Sequence, residues 1–324
     1  MLDADAQEFA DALTRLMPAP FHVMGVAASR EFIASFPQPD SMIAVHDVTD
    51  VAIPAGGHDV RVRIIRPFAA MNLPVLVWLH GGGWVFGSIE GSEPLCRNLA
   101  MRSDCIVVTV DYRLAPENPY PAPLNDCLDA FRWVRAHIHE FGGDPLSVAI
   151  GGDSAGGNLA VGVTRSLLDE GDDVPVFQLL AYPALEWRVD RPSRVEHAEA
   201  PLLTQSDAEW FMTMYAGDAS NFTDERAFPS NSTSFQGFPP TLVIGADVDV
   251  LRDEGVAFAE TLRRDGVSAD SIVYPGVFHG FFTEVDFISR ADQAVTEAAT
   301  RLRSALAAAV EHEPNTSAPP HPPR

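Results

Sequence analysis

The sequence predicts an α/β fold with a mostly parallel, doubly wound central sheet flanked by helices, and three observations carry that expectation. Leu73–Leu79 and 105–110 are nearly continuous apolar runs of strand length, as strands buried on both faces of a parallel sheet require. Helical stretches alternate with such runs down the chain, the pattern of repeated βαβ units. Ala149-Ile150-Gly151-Gly152-Asp153-Ser154-Ala155-Gly156-Gly157-Asn158 reads as the end of a buried strand, a turn crowded with glycine and the start of a helix, with a serine at its tip.

In chain order, residues 5–36 set Phe9, Leu13, Leu16, Phe32, Ile33 and Phe36 at helical spacing, interrupted by Pro18, Pro20 and Gly25. That predicts two short helices lying over the main body. From 43 to 66 the period changes to two: Val60, Val62 and Ile64 alternate with Arg61 and Arg63, after Gly56-Gly57. A half-exposed antiparallel hairpin is expected there. Beyond the two buried strands, 124–141 reads as a helix closed by Gly142-Gly143. Then follow a strand at 147–150, a helix at 155–168, strands at 176–182 and 241–244, a helix at 254–264, a strand at 271–274 and a final amphipathic helix at 286–310. The segment 186–234 breaks the rhythm with Trp187, Trp210, Phe211, Met212, Met214 and Tyr215 and no strand alternation. An interruption of that length in a compact fold is more often a functional cover than a plain loop. Residues 314–324, with five prolines, are expected to form a disordered tail.

Composition narrows the class. A chain of 324 residues, 46% apolar and 21% charged, suits a single globular domain with an elaboration. No apolar run of about 18 residues is present to cross a bilayer. The N-terminal stretch Met1-Leu2-Asp3-Ala4-Asp5 is acidic where a secretory signal is basic and then apolar, so a cytoplasmic location is expected. Cys96, Cys105 and Cys127 are odd in number and lie in apolar contexts, which suits buried thiols. The formal charge of −23 comes from 45 acids against 22 bases, all arginine. Such a field repels nucleic acid and anionic membrane surfaces, and a chain without lysine has no Schiff-base or P-loop chemistry. Solubility and a compositional bias account for the charge; salt tolerance is the alternative.

A serine is a poor nucleophile unless a base takes its proton, and the base needs an acid to fix its tautomer. Only His197, His279, His312 and His321 follow Ser154, and His279 alone sits in a loop directly after a predicted strand, among Gly and aromatic residues. The acid is expected at the end of the preceding strand, where open α/β sheets collect their active sites. Asp247, Asp249 and Asp253 compete there. Asp253 is explained by helix capping, and position barely separates the other two. Leu73–Leu79 runs into His80-Gly81-Gly82-Gly83-Trp84, where glycines let backbone approach a ligand, as an oxyanion-binding loop needs. Neither a phosphate-loop ending nor a metal-ligand pair of His or Cys accompanies these residues.

HGGGW at 80–84, DYRLAPE at 111–117, GDSAGGN at 152–158, DVDVLRDEG at 247–255 and HGF at 279–281 together resemble the hormone-sensitive-lipase-like esterases of the α/β-hydrolase fold, the bacterial family IV. The resemblance spans roughly residues 73–300 and implies a serine carboxylesterase for neutral esters of short to medium acyl chain, working without metal or organic cofactor. It places the nucleophile on Ser154, the base on His279 and the acid on Asp249, where Val250 stands in place of the family's usual proline. The oxyanion donors fall on Gly82, Gly83 and Ala155. His80 and the 111–117 stretch become supports of the oxyanion loop, and 1–40 with 186–234 corresponds to the family's cap. The apolar cap residues Trp210 and Met214, with Trp84 and Phe86, suggest a substrate pocket. Dimerisation through the last strands is common in the family, so a homodimer is a further expectation. The alternatives are a ligand receptor on the same fold, or an acyltransferase or amidase with the same three residues.

Overall fold

Strand and helix alternate along the chain in the computed structural model, which describes residues 1–36, 42–187 and 190–311. The proline-rich 314–324 and positions 37–40 of the N-terminal segment lie outside the described residues. Two helices, α1 (Ala4–Leu16) and α2 (Phe21–Ala34), precede the hairpin β1 (Asp47–Ala55) and β2 (His58–Arg66). Then come β3 (Leu73–Leu79), α3 (Ile89–Ser103), β4 (Ile106–Asp111), α4 (Ala122–His137), β5 (Gly143–Asp153), α5 (Ala155–Glu170) and β6 (Gln178–Ala181). The segment 186–234 contributes α6 (Pro192–Glu196) and α7 (Gln205–Ala216) and, among its described residues, no strand. The chain closes with β7 (Thr241–Val248), α8 (Arg252–Arg264), β8 (Ala269–Phe278) and α9 (Ser289–Glu311).

The strands form one sheet in the order β1-β2-β4-β3-β5-β6-β7-β8. Among the described residues the pairs β1–β2 and β2–β4 are antiparallel and the others parallel. The two-residue turn of the hairpin needs positive φ at both positions, and Gly56 (53°) and Gly57 (96°) supply it. Because side chains alternate across a strand, the buried strands feed two cores. Val75, Val77 and Leu79 pack on one face with residues of α4, α5 and α8, while Leu76 and Trp78 pack on the other with α1, α3 and α9.

Several bounds differ from the expectations for local reasons. The predicted helix 124–141 ends at His137 and finishes as a 3-10 turn, and Gly143 opens β5 rather than closing the helix. β5 thereby runs from Gly143 to Asp153, past the predicted 147–150, into the glycines that precede the serine. β7 continues to Val248, which puts Asp247 within the strand. Asp253 does not cap α8: the cap residue is Leu251, and the Asp253 carboxylate accepts the Ser193 backbone N–H at 2.8 Å.

Parallel register brings the strand ends to one edge. Leu79 pairs with Gly152, Asp153 with Ala181, Ala181 with Ile244 and Val248 with Phe278. Every candidate site residue of the core follows one of these ends.

Candidate active site

Ser154 holds φ 54° and ψ −115°, a conformation costly for any residue with a Cβ. Its backbone N–H donates to Ala181 O at 2.8 Å, and its carbonyl accepts Ala184 N–H at 3.2 Å, so β6 and the chain after it lock the turn. Glycine on both sides is a matter of space. A Cβ at Gly152 would stand 2.4 Å from the Gly156 backbone, and one at Gly156 only 1.9 Å from Leu79 O. The serine oxygen is pushed outward in consequence.

His279 follows β8, and Gly280 with φ 89° turns the chain immediately after it. Its Nε2 lies 2.9 Å from Ser154 Oγ and its Nδ1 lies 2.8 Å from Asp249 Oδ2. A carboxylate only accepts, so Nδ1 carries the proton and Nε2 is left to accept the serine O–H. Asp249 is fully buried, and its other oxygen accepts Leu251 N–H at 2.9 Å. Asp247, two residues earlier, has a side chain 41% exposed and lies 4.0 Å from the Arg252 guanidinium. The competition left open by sequence position thus ends with Asp249 beside His279.

Gly82 (φ 111°) and Gly83 (φ 59°) begin the turn after β3, and Gly82 O accepts both Val85 and Phe86 N–H at 3.0 Å. A Cβ at Gly83 would enter the Phe211 ring at 2.4 Å. Ala155 is the first residue of α5, where helix geometry leaves a backbone N–H without an intrahelical partner. His80 packs against the 111–117 stretch. It is buried, stacks on Tyr112 with centroids 4.3 Å apart and donates through Nδ1 to Gly81 O, while Tyr112 donates to His80 O at 2.7 Å. Burial pulls its pKa below the ordinary imidazole value, which keeps it neutral. Next to the serine, burial pushes the Asp153 carboxyl up to about 6, against the stabilising Gly81 backbone N–H.

The four predicted pocket residues separate into two kinds. Trp84 is 1% exposed and stacks flat on Tyr215 at 4.3 Å, so it backs the glycine turn after β3 and offers no free face. Phe86 and Trp210 join through Phe211 into a ring cluster with centroids 5.4 and 5.0 Å from it, and Met214 is half-buried against the same core. Sequence reasoning missed two neighbours. Phe21 of α2 packs on Phe86 and Phe211 at 5.1 and 5.6 Å, and Leu202, with φ 66°, lays its Cδ2 over Gly280. A leucine in that backbone region carries no sequence signature; the apolar start of α2 after Pro20 was the only hint of Phe21.

A sheet of this order with a serine on the turn between β5 and α5 defines an α/β hydrolase. The chain matches the family described as alpha/beta hydrolase fold over residues 76–283. It is 34% identical over 288 residues to the carboxylesterase NlhH of Mycobacterium tuberculosis, covering 87% of this chain and 90% of that one. The carboxylic ester hydrolase LipN of the same organism is 36% identical over 300 residues, covering 88% and 80%. Among solved structures, the ester hydrolase EH1AB1 from the metagenome of Lake Arreo, complexed with a bipyridine phosphonate derivative, superposes with a TM-score of 0.86 at 37% identity, covering 94% of this chain and 99% of that one. The chain belongs to the hormone-sensitive-lipase-like family of α/β hydrolases.

Proposed function

We propose that this protein is a serine carboxylesterase that hydrolyses neutral carboxylic esters of short to medium acyl chain. The observation that carries the reading is the continuous hydrogen-bonded line from Ser154 Oγ through His279 to the buried Asp249. In the first half-reaction His279 Nε2 takes the Ser154 proton as Oγ attacks the ester carbonyl, and Asp249 stabilises the resulting imidazolium. The backbone N–H groups of Gly82, Gly83 and Ala155 receive the oxyanion, and the loss of one such donor typically raises the barrier by about 2.7–4 kcal/mol. His279 then returns its proton to the departing alkoxide, leaving an acyl-Ser154. Water, deprotonated by the same imidazole, attacks the acyl carbonyl, and the imidazolium returns that proton to Ser154 Oγ as the acid leaves.

Residues 1–40 and 186–234 act as the cap. The packing of Phe21 on Phe211 supports this, because it joins the two segments directly over Gly83. The rings of Phe86, Trp210 and Phe211 with Met214 give the acyl chain an apolar wall, and a formal charge of −23 disfavours anionic substrates. A carboxylate-bearing ester is therefore hydrolysed more slowly than its neutral analogue. A cytoplasmic location belongs to this proposal, and no helix among the described residues is long and apolar enough to cross a membrane.

A ligand receptor on this fold is disfavoured because base, acid and nucleophile are all in contact. Acyltransferase or amidase action is separated by measuring hydrolysis against transfer to added alcohols. The central test is Ser154→Ala with p-nitrophenyl butyrate, together with labelling by a phosphonate ester. Activity is expected to fall at least about 10³-fold, and the phosphonate to add to Ser154 alone. Retention of most activity, or labelling elsewhere, defeats the mechanism.

A further inference from the structure

The proposed oxyanion loop is fastened by a side chain that comes from outside the hydrolase core. Arg30, in the last third of α2, donates from Nε to Val85 O at 2.8 Å and from Nη2 to Ala115 O at 2.9 Å. Its two terminal nitrogens also fork onto Glu117, Nη1 to Oε1 at 2.8 Å and Nη2 to Oε2 at 2.7 Å. Val85 belongs to the turn that Gly82 begins, since Gly82 O accepts from both Val85 and Phe86, and Ala115 N–H donates back to Trp84 O at 2.9 Å. One planar guanidinium therefore bridges the turn that follows the proposed donors and the 111–117 loop beside it.

Physical reasoning gives this bridge a purpose. A loop of successive glycines loses more conformational freedom on ordering than any other, and has no side chains to hold itself. Its amide directions must be set by neighbours, and a catalytic donor misplaced by about 1 Å loses about 10²-fold in rate. The ion pair itself contributes little, because Arg30 is a third exposed and Glu117 more than half. What Glu117 does is hold the guanidinium in the one plane from which it meets both carbonyls. A lysine cannot substitute, since its ammonium lacks that fixed fork.

We propose that Arg30 is a positioning residue for the oxyanion hole, coupling the N-terminal helix to the amides of Gly82 and Gly83 so that this helix sets the rate of acyl transfer as well as covering the site. The proposal rests on the reading of Gly82 and Gly83 as oxyanion donors. It distinguishes two ways in which α2 serves the enzyme: Phe21 shapes the space for substrate, and Arg30 shapes the electrostatics of the transition state.

The experiment compares the full-length protein with Arg30→Ala and Arg30→Lys in steady-state hydrolysis of p-nitrophenyl butyrate and in binding of an aryl trifluoromethyl ketone, whose adduct with serine bears the oxyanion. In Arg30→Ala, kcat falls about 10- to 100-fold, part of the 10²–10³-fold that a lost donor costs. KM stays within about 3-fold, and ketone affinity falls by the same factor as kcat/KM, as transition-state complementarity demands. Millimolar guanidinium restores part of the loss. Arg30→Lys, which keeps the charge and guards against a misfolded alanine variant, loses rate in the same sense. A rise in KM at unchanged kcat, or a loss of rate without matching loss of ketone affinity, overturns the proposal. Phosphonate labelling separates its failure from that of the underlying reading: labelled Ser154 with unaltered Arg30 variants defeats the role of Arg30 alone, whereas unlabelled Ser154 defeats both.

Discussion

Asp247 and Asp249 stand two residues apart at the end of β7, and only the second touches His279. Losing the acid from a Ser-His-Asp arrangement while keeping its shape costs about 10⁴ in kcat, because the histidine adopts the wrong tautomer. Asp249→Asn is expected to show that loss, whereas Asp247→Asn changes kcat by no more than about 2-fold, as an exposed side chain away from the chemistry should. Equal effects of the two in a p-nitrophenyl butyrate assay overturn the assignment. Glycine makes an equally sharp demand at Gly156, where a Cβ would meet Leu79 O at 1.9 Å and backbone cannot yield. Gly156→Ala is expected to give little folded protein, read from soluble yield and thermal melting. Ser154, His279 and the glycines were legible because their chemistry restricts residue type and chain order together. Phe21 and Leu202 were not, since any apolar residue fills such a place and only the tertiary structure brings it there.

At the scale of elements, strand positions were readable because β3 and β4 are apolar on both faces, and both faces are indeed covered. Bounds were less so: glycines at 142–143 and 151–152 read as breaks, yet parallel pairing with β3 carries β5 from Gly143 to Gly152 and pairing with β6 takes it on to Asp153. The relation between α2 and α7 was invisible in sequence. A single carboxylate makes it: Asp207, 1% exposed, accepts the Thr204 N–H and hydroxyl at the start of α7 and both the backbone N–H and the ring Nδ1 of His22 at the start of α2. The pairing of His22 and Asp207 at 2.8 Å thus latches the two segments proposed as the cap. Asp207→Ala strands the part-buried donors of His22 and Thr204 at about 1 kcal/mol or more and removes the N3 half of the capping box whose N-cap is Thr204. Differential scanning calorimetry should show a Tm lower by several degrees, and the KM for longer acyl esters should rise more than that for acetate as the wall loosens. An unchanged Tm denies the latch.

Over the whole molecule two groups of carboxylates pull stability in opposite directions with pH. Hydrogen bonds from arginine hold surface acids low: Arg63 lowers Asp50, Arg61 lowers Glu90, and Arg30 brings Glu117 to about 2. Their folded pKa values lie below the unfolded ones, so their contribution is present above the ordinary carboxylate range and fades as pH falls through it. Burial does the reverse to Asp153 and Glu284, each pushed up to about 6. Between roughly pH 4 and 6 the folded chain keeps protons on these two that the unfolded chain has released, so their contribution declines as pH rises and has become a penalty by neutrality. Self-repulsion within a chain of formal charge −23 grows over the same interval. Maximum stability therefore falls below neutrality, at about pH 4.5–6. Thermal melting across pH 3.5–8.5 at low salt should give that maximum, and added sodium chloride should raise Tm more at pH 8 than at pH 5, because screening acts on the repulsion between exposed charges. Asp153→Asn and Glu284→Gln should each flatten the decline on the neutral side while leaving the acid side unchanged. A maximum at or above pH 7 in the unsubstituted protein would show that the surface arginine pairs outweigh both buried carboxyls and the net charge together.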